Sequence, residues 1–133
     1  VRAELCFRAE FDPAHRLFNP ELGGGALLDV GVYPIAFAHM VFGAPERIVS
    51  MPHLGDTGVD EQMAAILGYS GGRMAVCTAA TRTHAAPAAV IGGTAGSIEI
   101  SSPWWPTSSL TLRRPDGSSA PIPFEERGNG YQY

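Results

Sequence analysis

The segment NPELGGGALLDVGVYP, residues 19–34, predicts both a helix and a pair of side chains suited to proton transfer. Its glycines precede a long apolar run, which predicts a helix over residues 24–42 that ends at Gly43. On such a helix Asp29 and Tyr33 are four residues apart and project from the same face. A carboxylate and a phenol in one cavity suit proton transfer to or from a substrate hydroxyl or carbonyl. The segment therefore predicts one wall of an active site.

Parts of this segment allow a second interpretation. An aspartate also suits the first turn of a helix electrostatically, and a tyrosine is an ordinary core residue. Pro34 removes a backbone donor, so either the helix bends after Tyr33 or it breaks into two short helices. The helix is supported by apolar residues that recur at intervals of three and four: Leu27, Leu28, Val32, Ile35, Ala36, Met40 and Val41.

Most of the remaining chain is predicted to form strands. Residues 1–11 alternate apolar and polar side chains, which is the period of a half-buried strand. Further strands are predicted at 47–54, 61–70, 73–84, 88–92, 97–101, 110–114 and 122–124. Glycine-containing segments at 69–73 and 114–118 have the chemistry of hairpin turns. The predicted fold is α+β, an open-faced, mostly antiparallel sheet of about six or seven strands with one major helix on one face.

Length, composition and charge limit the classes of function. A chain of 133 residues with 45% hydrophobic residues suits one domain, residues 1–133. The net charge of −4 and the scattered arginines argue against a nucleic-acid partner. The longest apolar run, residues 30–42, is too short and too interrupted to cross a membrane. Two cysteines without metal spacing predict reduced thiols and a cytoplasmic protein, and the four histidines share no ligand spacing, so no metal is expected.

Both faces of the predicted sheet carry apolar side chains. One face of the strand at 61–70 presents Met63, Ala65 and Leu67, and the other presents Ala64 and Ile66. An antiparallel sheet that faces water is more polar on one side. We therefore expect the open face to associate with a second copy, as a homodimer or larger homo-oligomer. The alternative is that small residues merely make a tight strand interior.

Several motifs together resemble a known family. GGGALLDVGVYP, preceded by RLFNPE and followed by Phe42-Gly43, is similar to the second-domain signature of the Gfo/Idh/MocA oxidoreductases. Its Asp-x-Gly-x-Tyr form, in place of the commoner Asp-x-Gly-x-His, resembles the branch that contains glucose–fructose oxidoreductase, dimeric dihydrodiol dehydrogenase and related aldose dehydrogenases. TGVDE at 57–61, GTAGSIEI at 93–100 and WPT at 105–107 extend the resemblance over nearly the whole chain.

The resemblance implies an activity that needs more than this chain. Family members transfer a hydride between NAD or NADP and a sugar or diol, and their amino-terminal dinucleotide-binding domain carries a glycine-rich turn and a catalytic lysine. This chain has neither, and its nine basic residues are all arginine. A phenol ionises only near pH 10, so that lysine is the cation expected to activate it. The chain is expected to be the carboxy-terminal substrate and oligomerisation domain, without the family's terminal helix and inactive alone.

The same resemblance assigns roles to the residues of the glycine-rich segment. Tyr33 and Asp29 are expected to be catalytic, with the tyrosine as acid or base and the aspartate orienting it or the substrate. Gly24 and Gly25 are expected to make room for the cofactor and the substrate beside Asp29, because glycine permits close approach. A flexible loop is the alternative explanation of these glycines.

Two further side chains are candidates for substrate binding. Arg16 lies just before the glycines and could orient a substrate oxygen, although a solvated arginine is equally consistent with its position. Trp105 lies beside Trp104 in a proline-flanked loop, where a flat aromatic face could form the floor of a sugar or diol pocket. Packing in the core or at an interface explains these tryptophans equally well.

Two other classes of function remain open from the sequence. One is a non-catalytic sheet module for assembly or regulation. The other is a small-ligand-binding domain, or an unrelated α+β enzyme that uses the same Asp29 and Tyr33 pair without a nicotinamide.

Overall fold

A computed structural model describes residues 1–106 and 109–125. Thr107, which ends the WPT motif, lies outside the described residues, as do Ser108 and residues 126–133. The described strands are β1 (Arg2–Cys6), β2 (Arg47–Leu54), β3 (Asp60–Gly68), β4 (Met74–Ala80), β5 (Ala89–Gly93), β6 (Gly96–Ile100), β7 (Leu110–Arg113) and β8 (Ser119–Ile122).

These strands form one sheet in the order β2-β3-β4-β1-β5-β6-β7-β8. β1 runs parallel to β4, and the other neighbouring pairs are antiparallel. The predicted α+β class is confirmed, with eight described strands rather than six or seven. The strand predicted over residues 1–11 ends at Cys6, beyond which the amides of Phe7 and Ala9 still bond to the carbonyls of Ala80 and Thr81 at 3.0 and 2.8 Å.

The helix begins later than predicted and changes its winding along its length. A short 3₁₀ turn, Pro20–Leu22, comes first, followed by a π-helical stretch, Leu27–Gly31, and then by α1 (Val32–Phe42). Gly25 has a φ of 125°, which is not helical, so the helical residues start at Ala26. The helix does not break into two at Pro34. The wider π turn ends at Gly31, three residues before this proline, whose missing N–H removes one bond of the α-helical ladder.

One face of the helix is buried against the sheet. Its buried residues are Ala26, Val30, Gly31, Pro34, Phe37 and Ala38. Leu28, Val32 and Met40 are exposed. The helix is apolar on nearly every side, so the spacing of its apolar residues does not identify the face that meets the sheet.

The sheet has one face under the helix and one open face. Beneath the helix lie buried side chains that alternate along the central strands: Ala3, Leu5, Met63, Ala65, Leu67, Ala75, Cys77 and Ala79. On the open face Val49, Ile66 and Val76 lie side by side across β2, β3 and β4, and all three are exposed. Directly paired residues share a face, so they form an apolar row across the sheet.

The stretch Pro20–Phe42 is, by length and mean hydropathy of 1.5, a candidate membrane span. This differs from the sequence prediction, which counted only residues 30–42. The stretch is interrupted at Gly23 and Gly25, whose φ angles are 71° and 125°. The continuous part, residues 26–42, is about 25 Å long at ~1.5 Å per residue, shorter than a hydrocarbon core of ~30 Å. A core helix that packs on a sheet can have the same length and the same mean hydropathy as a membrane span.

Candidate active site

A cleft of about 490 Å³ opens where the start of the helix meets the end of β1 and two loops. One loop follows β4 and the other follows β6. The cleft is lined by Leu5, Cys6, Phe7, Arg16, Asp29, Val30, Tyr33, His84, Ala85, Pro87 and Trp105. Four of the six residues predicted for the site therefore converge here: Arg16, Asp29, Tyr33 and Trp105. The π-helical winding does not separate Asp29 from Tyr33, since both reach the same cleft.

Arg16 and Asp29 form an ion pair at this cleft. Nη1 of Arg16 donates a hydrogen bond to Oδ1 of Asp29. The arginine side chain is 65% exposed and the aspartate side chain only 17%, so the pair joins the surface to the interior of the cleft. A guanidinium has five N–H donors, more than one carboxylate uses. The pair can therefore hold the aspartate in place and still present donors to a ligand.

The loop that carries Arg16 is anchored to the body of the domain. The buried ring of Phe18 lies 5.8 Å from the guanidinium carbon of Arg82. The same guanidinium donates from Nη1 to the carbonyl of Ala9 at 2.9 Å and lies 3.7 Å from the carboxylate of Glu61. These contacts join residues 9–18 to β3 and to the end of β4, so Arg16 extends from a supported loop.

Tyr33 and Trp105 form an aromatic pair across the cleft. Their ring centroids are 6.4 Å apart and the ring planes are inclined by 51°. Tyr33 is 38% exposed and Trp105 is 44% exposed, so both rings present a face to solvent. Flat aromatic faces beside a phenolic hydroxyl offer both packing and hydrogen bonding to a ligand.

The two adjacent tryptophans have different environments. Trp104 is 6% exposed and packs against Phe37 with centroids 5.3 Å apart. Its indole Nε1 donates to the carbonyl of Glu4 at 2.7 Å. Trp105 stands nearly perpendicular to it, at 88°, and faces the cleft. Trp104 is therefore a core residue, whereas Trp105 lines the cleft, and its contact with a substrate stays a prediction.

Gly24 and Gly25 do not line the cleft. A Cβ on Gly24 would lie 2.8 Å from the carbonyl oxygen of Leu17 and 2.9 Å from that of Arg16. A Cβ on Gly25 would collide with Oδ1 of Asp60, and its φ of 125° suits glycine. The space beside these two glycines is filled by the protein itself, which explains them by close packing within the domain.

Cys6, Phe7 and His84 are among the lining residues that were not predicted for the site. Cys6 ends β1, Phe7 follows it, and His84 lies in the loop after β4. Burial, and then the nearby Glu4 carboxylate, raise the pKa of the Cys6 thiol above its ordinary value. The sequence carried no signal for His84, because it lies more than fifty residues from Asp29 and belongs to no motif. An imidazole at this position adds a side chain that can donate or accept a hydrogen bond in the cleft.

Other features of the described residues are less suited to chemistry. A groove of about 290 Å³ between α1 and β2 is lined mainly by aliphatic side chains, with His39, Ser50 and Tyr69 among them. Within residues 1–106 and 109–125, no cluster of three or more His, Cys, Asp or Glu side chains could hold a metal ion. The cleft that contains Asp29 and Tyr33 is therefore the candidate active site.

Comparison with known proteins agrees with this architecture. A profile of the GFO/IDH/MocA C-terminal domain matches residues 1–99. Trans-1,2-dihydrobenzene-1,2-diol dehydrogenase from Xenopus tropicalis is 43% identical over 114 residues, covering 84% of this chain and 34% of that protein. Aldose-aldose oxidoreductase from Caulobacter crescentus, complexed with glycerol, superposes with a TM-score of 0.80 at 23% identity over 96% of this chain and 40% of the other.

A second solved structure has the same fold. The 3-ketoreductase KijD10 from Actinomadura kijaniata, in complex with NADP and TDP-benzene, has a TM-score of 0.78 at 24% identity over 92% of this chain and 39% of the other. This chain belongs to the Gfo/Idh/MocA family and corresponds to its C-terminal domain. It spans about a third of the length of the curated relatives cited, 34% in the Xenopus enzyme.

Proposed function

We propose that this chain is the substrate-binding and oligomerisation domain of an NAD(P)-dependent oxidoreductase that acts on CH–OH groups of sugars or diols. The observation that carries the proposal is the convergence of Tyr33, Asp29, Arg16 and Trp105 on one cleft. Relatives named as dihydrodiol dehydrogenases and a structural neighbour with bound NADP support it. Within this proposal the chain alone does not turn over substrate.

The residues of the cleft suit the proton half of such a reaction. Oxidation of an alcohol breaks a C–H bond and an O–H bond, so a hydride and a proton must each be accepted. The nicotinamide, when bound, accepts the hydride. Tyr33, as the phenolate, accepts the proton at its oxygen, and in the reverse direction the phenol donates that proton to the carbonyl oxygen. Asp29, held by Arg16, orients the substrate hydroxyl or the tyrosine.

The cleft fits the reacting end of the cofactor better than the whole of it. A volume of about 490 Å³ accommodates a nicotinamide ring and a small substrate. Among the described residues that line the cleft, Arg16 is the one strongly basic side chain, and a single guanidinium is little charge to bind a pyrophosphate. This supports a division in which a separate dinucleotide-binding domain holds most of the cofactor and supplies the activating cation. Cofactor contact by Gly24 and Gly25 remains a prediction, although their close packing argues for a structural role.

The exposed side of the helix is a suitable surface for that separate domain. Leu28, Val32 and Met40 are apolar and exposed, and they lie on the side of the helix away from the sheet. Exposed apolar patches of this kind commonly mark contact surfaces. A cofactor-carrying domain docked here would also approach Asp29 and Tyr33, which lie on the same helix.

Self-association through the open sheet face is the second part of the proposal. The row of Val49, Ile66 and Val76 is continued on neighbouring positions by exposed Met51 and Met74. An apolar sheet face of this kind is expected to pack on another sheet. A second copy of this chain is the proposed partner, because a self-complementary face closes a dimer by symmetry.

The direct test uses the intact protein that contains this domain. Oxidation of aldoses and trans-dihydrodiols is followed through NAD(P)H absorbance for wild type, Tyr33→Phe and Tyr69→Phe. Tyr69 is the matched control, since it is buried in the core outside this cleft. We expect Tyr33→Phe to lower kcat by roughly 10²–10⁴-fold, the range of general acid–base catalysis. Tyr69→Phe should stay near wild type.

Each other outcome selects another class of function. Equal rates for wild type and Tyr33→Phe would remove Tyr33 from the mechanism. Turnover without any nicotinamide would favour an independent enzyme at the same pair. Absence of turnover on the whole substrate panel, in a folded protein that binds no nicotinamide, would favour a non-catalytic module.

A further inference from the structure

The carboxylate of Asp60 meets the start of the helix that carries Asp29 and Tyr33. Its Oδ2 accepts a hydrogen bond from the backbone N–H of Leu27 at 2.7 Å, across 33 residues of sequence. The first N–H groups of a helix have no partner inside the helix, so an acceptor at this position stabilises the first turn. A negative charge there also interacts favourably with the helix dipole. Asp60 thus caps the helix from β3.

The same point is held from a second direction by the loop of Arg16. The amide of Gly25 donates to the carbonyl of Leu17 at 2.9 Å, and the amide of Gly24 donates to the carbonyl of Asn19 at 3.0 Å. Gly25 also lies directly against Oδ1 of Asp60, where any side chain would collide. The helix start, the Arg16 loop and β3 therefore meet at Gly25.

This junction lies one helical turn before Asp29. The amide of Asp29 donates to the carbonyl of Gly25 at 3.1 Å, so the backbone that Asp60 fixes is the backbone from which Asp29 extends. Tyr33 follows one turn later on the same helix. Asp60 itself does not line the cleft. Any effect of this carboxylate on catalysis must therefore pass through the helix.

We infer that Asp60 is a positioning residue: by holding the Leu27 amide it fixes the start of the helix and thereby aims Asp29 and Tyr33 into the cleft. This inference rests on the proposed function for its kinetic consequence. A misplacement of about 1 Å at reacting groups can lower a rate by ~10²-fold, so a distant cap can matter to turnover. The glycines at 24 and 25 are then required for the junction to close.

The kinetic test compares Asp60→Ala, Asp60→Asn and Asp116→Ala in the intact protein. Asparagine retains an oxygen that can accept from Leu27, whereas alanine does not. Asp116 is a matched control, since it accepts from the amide of Ser118 at 2.8 Å in a hairpin remote from the helix. We expect Asp60→Ala to lower kcat roughly 10-fold to 100-fold with KM for NAD(P) unchanged. Asp60→Asn should recover most of kcat, and Asp116→Ala should match wild type.

The structural test does not require turnover. Hydrogen exchange of the peptide covering residues 26–33 should accelerate in Asp60→Ala and not in Asp116→Ala. A crystal structure of Asp60→Ala should show the Tyr33 ring displaced, so that its centroid is no longer 6.4 Å from that of Trp105. Unchanged exchange and an unmoved ring would overturn the inference, as would full kcat in Asp60→Ala. If the wild-type protein has no NAD(P)-linked turnover, the proposed function fails while exchange and ring position still decide the role of Asp60.

Discussion

Arg16 and Asp29, 13 residues apart in sequence, form an ion pair in which the aspartate lies deep in the cleft and the arginine at its surface. The aspartate extends from the helix and the arginine from a loop, so the pair ties two separate segments together. An exposed arginine contributes little to folding, whereas a charge-assisted bond to a functional carboxylate can contribute to catalysis.

Replacement of Arg16 should therefore affect activity more than stability. In Arg16→Ala the free energy of unfolding should change by only ~0.2–1 kcal/mol, the range of exposed ion pairs. Loss of a charged hydrogen bond of ~1.5–3 kcal/mol in the substrate complex corresponds to roughly a tenfold or larger drop in kcat/KM. Arg16→Lys should recover part of the activity, since lysine keeps the charge without the planar fork.

Steady-state kinetics and thermal unfolding of the intact protein check this prediction. Arg114→Ala serves as the control, because Arg114 is exposed at the hairpin between β7 and β8. Wild-type kcat/KM in Arg16→Ala would show that the pair has no part in substrate handling. A large fall in melting temperature with proportionate loss of activity would assign Arg16 a structural role instead.

The adjacent tryptophans should respond in opposite ways to truncation. Trp104→Ala removes a buried ring and its bond to the Glu4 carbonyl, so the domain should lose about 3–5 kcal/mol of stability. Trp105→Ala removes a half-exposed ring from the cleft, so stability should change little while KM for the substrate rises. Denaturant unfolding and kinetics on both variants separate the two effects. Equal destabilisation by both would contradict the assignment of Trp105 to the cleft.

The convergence of site residues was predictable where local spacing or a motif carried the information. Asp29 and Tyr33 were paired by helical spacing, Arg16 was a candidate because it lies just before the glycines, and Trp105 because a flat aromatic ring in a loop can pack on a ligand. Asp29 and Tyr33 lie on the same side despite the π-helical winding, because residues four apart are neighbours in both an α-helix and a π-helix.

The features that the sequence could not provide depend on contacts between distant segments. Asp60 belongs to the TGVDE motif, but nothing near it in sequence shows that its carboxylate reaches Leu27. His84 lies in an irregular loop without periodicity. The sequence did not show which face of the helix is buried, because a helix that is apolar all round has no polar side to mark solvent. Trp104 and Trp105 could not be told apart either, since a loop has no repeating direction.

The two cysteines should differ in their reaction with iodoacetamide. Burial raises the pKa of Cys77 to about 11 and also raises the pKa of Cys6 above its ordinary value. The thiolate is the reactive form, so a raised pKa means slower labelling than a free cysteine near neutral pH, with rates that increase as the pH rises through ~9 and beyond. Cys6 borders the cleft and should react first, whereas Cys77 is fully buried and should be protected.

Peptide mass spectrometry across a pH series measures both labelling rates. A saturating nicotinamide cofactor or substrate should slow labelling of Cys6 without affecting Cys77, because only Cys6 lines the cleft. In denaturant the two rates should become similar, which controls for the intrinsic reactivity of each thiol. Native labelling of Cys77 as fast as that of Cys6 would contradict the described packing.

The open face of the sheet should carry the proposed self-association, and Ile66 is its central position. Ile66 lies between Val49 and Val76 in the apolar row and is 46% exposed. Ile66→Arg would bury an unpaired charge between two copies, which costs several kcal/mol and should weaken association by roughly a hundredfold or more. Ile48→Arg is the matched control, since Ile48 is 61% exposed but faces the helix side of the same strand pair. Sedimentation of the intact protein should give the mass of a monomer for Ile66→Arg and the wild-type mass for Ile48→Arg. An unchanged assembly in Ile66→Arg would exclude this face as the interface. A monomeric wild-type protein would exclude it as well.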